Sequence, residues 1–262
     1  MDKVRAIVLR AAGVNCDGET QYALELAGAD ADRIHINRVI ENLSLLDDYQ
    51  ILVFPGGFSY GDDVAAGKIL ANQIIHHVSE SLKKFIEDGK LVLGICNGFQ
   101  VLVKTGILPG MDGAGGREQP VTITANDSGK FEDRWVYLEP GSSRCVFIEP
   151  GRRIYLPVAH GEGKVVSKDA QVLEELKSGQ YVVFRYVDKD GNEGPFPVNP
   201  NGSMGSIAGL TDSTGRVLGL MPHPERHIHR TQHPHWSRLT DDDGADGRTI
   251  FENAVKYVRQ NL

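Results

Sequence analysis

The chain has 262 residues, 40% of them hydrophobic and 24% charged, with a formal net charge of −7. That composition supports a buried core and excludes a disordered chain, and the acidic excess argues against a nucleic-acid binder, which would carry a basic stripe. No run of about 18 apolar residues is present, so no membrane-spanning helix and no membrane partner are expected. Met1-Asp2-Lys3-Val4 opens without the apolar stretch of a signal peptide. Cys16, Cys96 and Cys145 are odd in number and far apart. They suit a cytoplasmic location and one reactive thiol better than a disulfide frame.

In chain order, Val4 to Leu9 predicts a strand, Gly18 to Ala27 a helix, and Arg33 to Ile36 a second short strand. Ile51 to Phe54 is a continuous apolar run, the signature of a strand buried on both faces. Apolar residues near a 3.6 period predict a long helix over Ala65 to Glu87. Leu91 to Ile95 is another buried strand, followed by a helix from about Gly98 to Lys104. This order predicts an α/β fold with a doubly wound, mostly parallel sheet flanked by helices. Residues 106–120 are glycine-rich and read as a loop. Further strands are expected at Val121–Thr124, Trp135–Leu138, Val146–Ile148, Ile154–Val158, Tyr181–Val187 and Val217–Leu220, either as a separate unit or as an antiparallel extension of the same sheet. The polar stretch after Pro224, with Asp241-Asp242-Asp243, reads as a loop, and Thr249 to Gln260 as an amphipathic helix.

The strongest chemical signal is Gly94-Ile95-Cys96-Asn97-Gly98-Phe99-Gln100, where a buried strand runs into Gly-x-Cys-x-Gly and then a helix. This is the cysteine form of a nucleophile elbow. Its turn strains the nucleophile's backbone, and side chains larger than glycine on either side would collide with adjacent elements. A helix N-terminus favours a thiolate there, and the Asn97 N–H can donate to an oxyanion. A small buried core cysteine is the plainer reading, but it does not call for two flanking glycines.

A cysteine nucleophile needs a base, and two histidines follow predicted strands in His-x-Glu pairs: His160 with Glu162 and His223 with Glu225. In an extended segment residues i and i+2 share a side, so a carboxylate could orient the imidazole. Pro222 and Pro224 stiffen the second pair and argue against a helix there, which modestly favours His223. Phe54-Pro55-Gly56-Gly57 ends a buried strand, at the edge where open parallel sheets bind ligands. The Gly57 N–H could complete an oxyanion hole with Asn97.

With these motifs the chain resembles the class I (triad) glutamine amidotransferases. The likeness extends, within them, to the glutaminase subunits of phosphoribosylformylglycinamidine synthase. Gly13-Val14-Asn15-Cys16-Asp17-Gly18, Phe58-Ser59-Tyr60-Gly61-Asp62, Phe131-Glu132-Asp133-Arg134-Trp135, His160-Gly161-Glu162-Gly163, Asn199-Pro200-Asn201-Gly202-Ser203 and His223-Pro224-Glu225-Arg226 carry it. The resemblance implies one flavodoxin-like domain over residues 1–262, with Cys96 as nucleophile, His223 as base and acid, and Glu225 orienting it. Gly57 and Asn97 would supply the oxyanion hole, Gln100 would help bind glutamine, and His160 with Glu162 would be structural or near the partner. It implies no cofactor or metal in this chain. ATP and Mg²⁺ would lie with formylglycinamide ribonucleotide on a synthase partner, with or without a third small subunit. Consistent with that, no Gly-x-x-x-x-Gly-Lys-Ser/Thr loop is present. The Gly56-Gly57 loop is expected to be flexible enough to turn its N–H groups away until the partner docks.

Two other readings compete. A cysteine hydrolase of the same fold, peptidase-like or glutamyl hydrolase, would lack use for Gln100 and the Phe58-to-Asp62 loop. A metal-binding or regulatory protein is suggested by His223, His227, His229, His233 and His235, but their spacing matches no standard zinc pattern.

Overall fold

The computed structural model describes residues 3–111, 119–238 and 245–262. Apolar runs too short for helices become the inner strands, and the amphipathic segments between them cover the faces. In chain order these are β1 (Arg5–Arg10), α1 (Asp17–Leu26), β2 (Asp30–His35), α2 (Ile36–Glu41), β3 (Ile51–Phe54), α3 (Lys68–Gln73), α4 (Ser79–Glu87), β4 (Leu91–Ile95) and α5 (Asn97–Lys104). The second half adds β5 (Val121–Thr124), β6 (Glu132–Pro140), β7 (Ile154–His160), β8 (Lys164–Ser167), α6 (Ala170–Ser178), β9 (Val182–Val187), β10 (Ile207–Thr211), β11 (Val217–Leu220) and α7 (Arg248–Asn261).

Nine strands form one sheet in the order β2-β1-β3-β4-β11-β10-β9-β6-β7. The pairings β2-β1, β1-β3, β3-β4 and β4-β11 are parallel, and those beyond β11 are antiparallel. The middle of the chain therefore extends the parallel sheet, apart from a two-stranded ribbon of β5 and β8. Every residue of β3, β4 and β11 is buried, as expected for strands covered on both faces.

Several local expectations are corrected. The second strand begins at Asp30, and Ile36 already opens a helix capped by the His35 side chain. The long helix starts at Lys68, because Gly67 stands at φ 73°, and a π-helical turn at Ile74–Val78 joins its two halves. Val146–Ile148 is not a strand. It is a loop whose fully buried Phe147 plugs the core, with its carbonyl accepting from Asn253 Nδ2 at 3.1 Å. β8, α6 and β10 are additional elements: β8 alternates too briefly to be read, and β10 is interrupted by Gly209. Residues 112–118 of the glycine-rich stretch, and 239–244 with Asp241-Asp242-Asp243, lie outside the described residues.

Candidate active site

Cys96 joins β4 to α5 with φ 50° and ψ −105°. A non-glycine residue in such a conformation costs about 1–3 kcal/mol and persists only where its surroundings fix it. Here the Cys96 N–H donates to the Leu220 carbonyl at 2.8 Å, while the Cys96 carbonyl accepts from Gln100 N–H at 3.1 Å. A Cβ on Gly98 would lie 1.9 Å from the Phe54 carbonyl oxygen, and one on Gly94 2.6 Å from Leu102 Cδ1. The two glycines thus let α5 press onto the end of β3, and the pressed helix holds the elbow.

The candidate base, His223, arrives from the neighbouring strand. β11 pairs with β4 through Leu220 and Ile95, so the segment after Leu220 leaves the sheet beside the elbow. Its path is fixed by Met221 N–H donating to Ala208 O at 3.0 Å and His223 N–H donating to Pro157 O at 2.8 Å. His223 is 2% exposed and close enough to Cys96 for the thiol's charge to act on its imidazole, while Cys96 Sγ itself lies 3.9 Å from the Ala159 carbonyl oxygen. Its Nδ1 is 2.6 Å from Glu225 Oε1. This contact does not arise from an extended segment: Pro224–Arg226 is a single 3₁₀ turn with proline at its first position, a place that needs no N–H. Burial works to lower the His223 pKa, but the Glu225 charge and the thiols of Cys96 and Cys16 outweigh it and hold the pKa well above 6.5.

The other pair does not meet. His160 Nδ1 faces Asn126 Oδ1 at 3.1 Å, and that oxygen also accepts from Gly163 N–H at 3.0 Å. Burial, with the His223 charge nearby, pushes His160 down to about 4. Glu162 instead presents its backbone carbonyl to Gln100 Nε2. Asn97 Nδ2 donates to Gln100 Oε1 at 3.0 Å and to Asp62 Oδ1 at 3.3 Å, and Asn97 Oδ1 accepts from Ser59 N–H at 3.3 Å. Gln100 and Asn97 therefore tie the elbow helix to the loops after β3 and β7. Burial and the Glu162 carboxylate raise Asp62, which the Gly67 N–H and Asn97 oppose.

Gly57 stands at φ 141°, and a Cβ there would lie 2.7 Å from Asn15 N and 2.8 Å from Val14 Cα. Among the described residues, no hydrogen bond uses its N–H. The residues on either side of Gly57 are tied to the segment before α1. Phe58 N–H donates to Gly13 O at 2.9 Å, Tyr60 N–H to Ala12 O at 2.7 Å, and Cys16 N–H to Gly56 O at 3.2 Å. These three backbone hydrogen bonds clamp the glycine loop to the segment between β1 and α1.

Sequence reasoning missed Asn126, Arg226 and the placement of Cys16. Cys16 is buried beside His223, and Arg226 Nη2 approaches its Sγ at 3.2 Å. The Cys16 thiol donates to Asn15 Oδ1 at 3.3 Å, and burial raises its pKa, opposed by the nearby His223 imidazole. Cys16 stands at the N-terminus of α1, and its side chain makes no capping hydrogen bond there. His227 belongs to aromatic packing: its Nδ1 meets Tyr155 O at 2.7 Å, and its ring stands edge-on to Trp135.

A profile of the CobB/CobQ-like glutamine amidotransferase domain matches residues 3–258. A phosphoribosylformylglycinamidine synthase subunit PurQ from Dehalococcoides mccartyi is 49% identical, covering 99% of this chain and 100% of that one. One from Methanococcus maripaludis is 40% identical, with 98% of each chain covered. A solved structure of PurLQS from Thermotoga maritima includes a chain 33% identical to this one, with a TM-score of 0.74, 98% of this chain and 100% of that chain being covered. Likeness on that scale along the full length, together with the domain match, makes this chain a member of the glutamine amidotransferase family to which the PurQ subunits belong.

Proposed function

We propose that the chain is the glutaminase subunit of a phosphoribosylformylglycinamidine synthase. The observation that carries the reading is the buried line from Cys96 through His223 to Glu225 at the ends of adjacent parallel strands. Cys96 Sγ attacks the side-chain amide carbon of glutamine, and the resulting oxyanion is met by the Gly57 and Asn97 N–H groups. Losing one such donor in comparable sites costs about 3–4 kcal/mol. His223 delivers its proton to the leaving nitrogen, so ammonia departs and a glutamyl thioester remains. Water then gives up a proton to His223, attacks the thioester carbon and releases glutamate and the thiol. Glu225 keeps the imidazole oriented throughout. Gln100 and the backbone of Glu162 border the space where the amino-acid end of glutamine would lie.

Ammonia passes to a synthase partner, which uses it with ATP to convert formylglycinamide ribonucleotide to its amidine in purine synthesis. The naming of the relatives as synthase subunits and the PurLQS assembly support this partner. ATP and Mg²⁺ are assigned to the partner and no cofactor to this chain, in keeping with the lack of a phosphate-binding Gly-Lys-Ser/Thr loop. A third small subunit in the assembly and a cytoplasmic location complete the reading. Three free cysteines fit that location, and among the described residues no helix is long and apolar enough to cross a membrane.

The test separates the two half-reactions. Cys96→Ala should abolish glutamate release while the assembled synthase keeps ammonia-dependent synthesis. His223→Ala should block labelling of Cys96 by an electrophilic glutamine analogue, whereas His160→Ala should leave labelling largely intact. Glutamate release by Cys96→Ala near the parent rate would refute the assignment.

A further inference from the structure

Cys16 takes no part in the chemistry above, yet it lies against its base. A Cβ on Gly56 would meet His223 Cε1 at 2.8 Å and Cys16 Sγ at 3.1 Å, so thiol and imidazole border the same small space. The Cys16 Sγ, a ring nitrogen of His223 and a carboxylate oxygen of Glu225 lie within 4.8 Å of one another, and all three residues are buried. Independently, Glu225 Oε2 and His223 Nε2 are buried without a geometrically formed hydrogen bond, on side chains 0% and 2% exposed. Buried polar atoms without partners are uncommon and mark places where a ligand can be accepted.

Thiolate, imidazole and carboxylate together are the donor set of Zn²⁺ and related ions. A tetrahedral ion with bonds of about 2.0–2.3 Å spaces its donors about 3.3–3.6 Å apart, so closing the group requires shifts of about 1 Å. We propose that Cys16, His223 and Glu225 form an inhibitory site for a thiophilic divalent cation of the Zn²⁺ class. On binding, Cys16 releases its thiol proton and a protonated His223 releases one ring proton to solvent, leaving a thiolate and a neutral imidazole as ligands. One nitrogen lone pair of His223 goes to the metal, so the imidazole can no longer exchange protons with Cys96. Arg226, 3.2 Å from Cys16 Sγ, favours the thiolate but repels a cation. Its charge is offset by Glu19, whose carboxylate accepts from Arg226 Nε at 3.0 Å and Nη2 at 3.4 Å.

The inhibitory effect rests on the role of His223 proposed above, whereas the cation site does not, and the experiment reads them separately. Co²⁺ is titrated into the full-length Cys96→Ala protein, which removes the competing thiol, and absorption is recorded. One equivalent should bind, with visible bands of a four-coordinate ion and a near-ultraviolet thiolate-to-cobalt band. Adding Cys16→Ala should eliminate the thiolate band. Cys16→Ser, closer in size, serves as the second variant, and thermal melting verifies the fold of each. In the assembled synthase with Cys96 intact, Zn²⁺ should inhibit glutamine-driven synthesis but not ammonia-driven synthesis, and a chelator should restore activity. Cys16→Ser should raise the half-inhibitory Zn²⁺ concentration at least tenfold, measured against its own metal-free rate. No thiolate band in Cys96→Ala, or a band that survives loss of Cys16, overturns the site. A Cys16-dependent band without inhibition of glutamine-driven synthesis overturns the role given to His223.

Discussion

His223 Nδ1 and Glu225 Oε1 are 2.6 Å apart across one 3₁₀ turn, on side chains 2% and 0% exposed. Removing the charge while keeping the shape tests what this contact contributes. Glu225→Gln should lower the rate of glutamate release by about two to four orders of magnitude, with ammonia-driven synthesis by the assembled enzyme unchanged. The same variant should alter the pH dependence of stability. A histidine whose folded pKa is raised stabilises fully below its unfolded value of about 6.5, and that contribution is lost as pH rises through the folded value. Denaturant titrations from pH 6 to 10 should therefore show a smaller alkaline loss in Glu225→Gln. A parent-like rate and slope would refute the role.

His160 gives the opposite sign. With its pKa pushed down to about 4 by burial, the unfolded chain binds more protons than the folded one between that value and about 6.5. Stability is therefore lost as the pH falls through this window, by about 2 kcal/mol from pH 7 to 4.5. His160→Asn, which retains an amide donor toward Asn126, should remove most of that acid-induced loss. Unfolding free energies of parent and variant at the two pH values provide the check.

Gly57→Ala places a methyl against the backbone of Val14 and Asn15, at a φ of 141°. Glutamate release should fall about 10²–10³-fold as the donor turns away from the oxyanion. Alkylation of Cys96 by a small uncharged thiol reagent should continue at close to the parent rate, because the elbow is untouched. Loss of alkylation as well would indicate collapse of the whole site.

Partner control should run through the clamped loop pair. Glutamate release by the chain alone should be slow, and should rise at least tenfold with the synthase subunit, formylglycinamide ribonucleotide and ATP. Phe58, directly after Gly57, is 46% exposed, and its ring lies tilted against that of the 53%-exposed Phe131, centroids 6.4 Å apart. Phe58→Ala should reduce the stimulation more than the basal rate. Equal turnover with and without the partner would end this reading.

Much of the site is legible in the sequence because its constraints are local. Gly94 and Gly98 announce the elbow, since any side chain there meets Leu102 or Phe54. Buried apolar runs announce β3 and β4. Local reasoning favoured His223 over His160 only modestly, through Pro222 and Pro224, because the main difference lies in distant partners. Asn126, 34 residues before His160, takes that ring's Nδ1. Leu220 and Pro157 fix the chain leading into His223. Cys16 was visible only as one of three scattered cysteines and part of a motif, because its neighbours Arg226 and His223 lie more than 200 positions away. Val146–Ile148 misled because a buried plug and a strand leave the same apolar trace.

The sheet order places β11 directly beside β4, and this has a consequence for biosynthesis. While the chain is being made, the segment with Cys96 leaves the ribosome well over a hundred residues before His223. Until β11 inserts between β4 and β10, the nascent thiol has neither its proton partner nor the Leu220 carbonyl that holds its N–H. The half-made chain should therefore be inactive toward glutamine, with reactivity appearing only when the sheet closes. Contacts this distant in sequence also slow folding, so activity in a refolding chain should lag behind the appearance of helical signal. A fragment ending before Val217 should form much of the parallel layer and hydrolyse nothing.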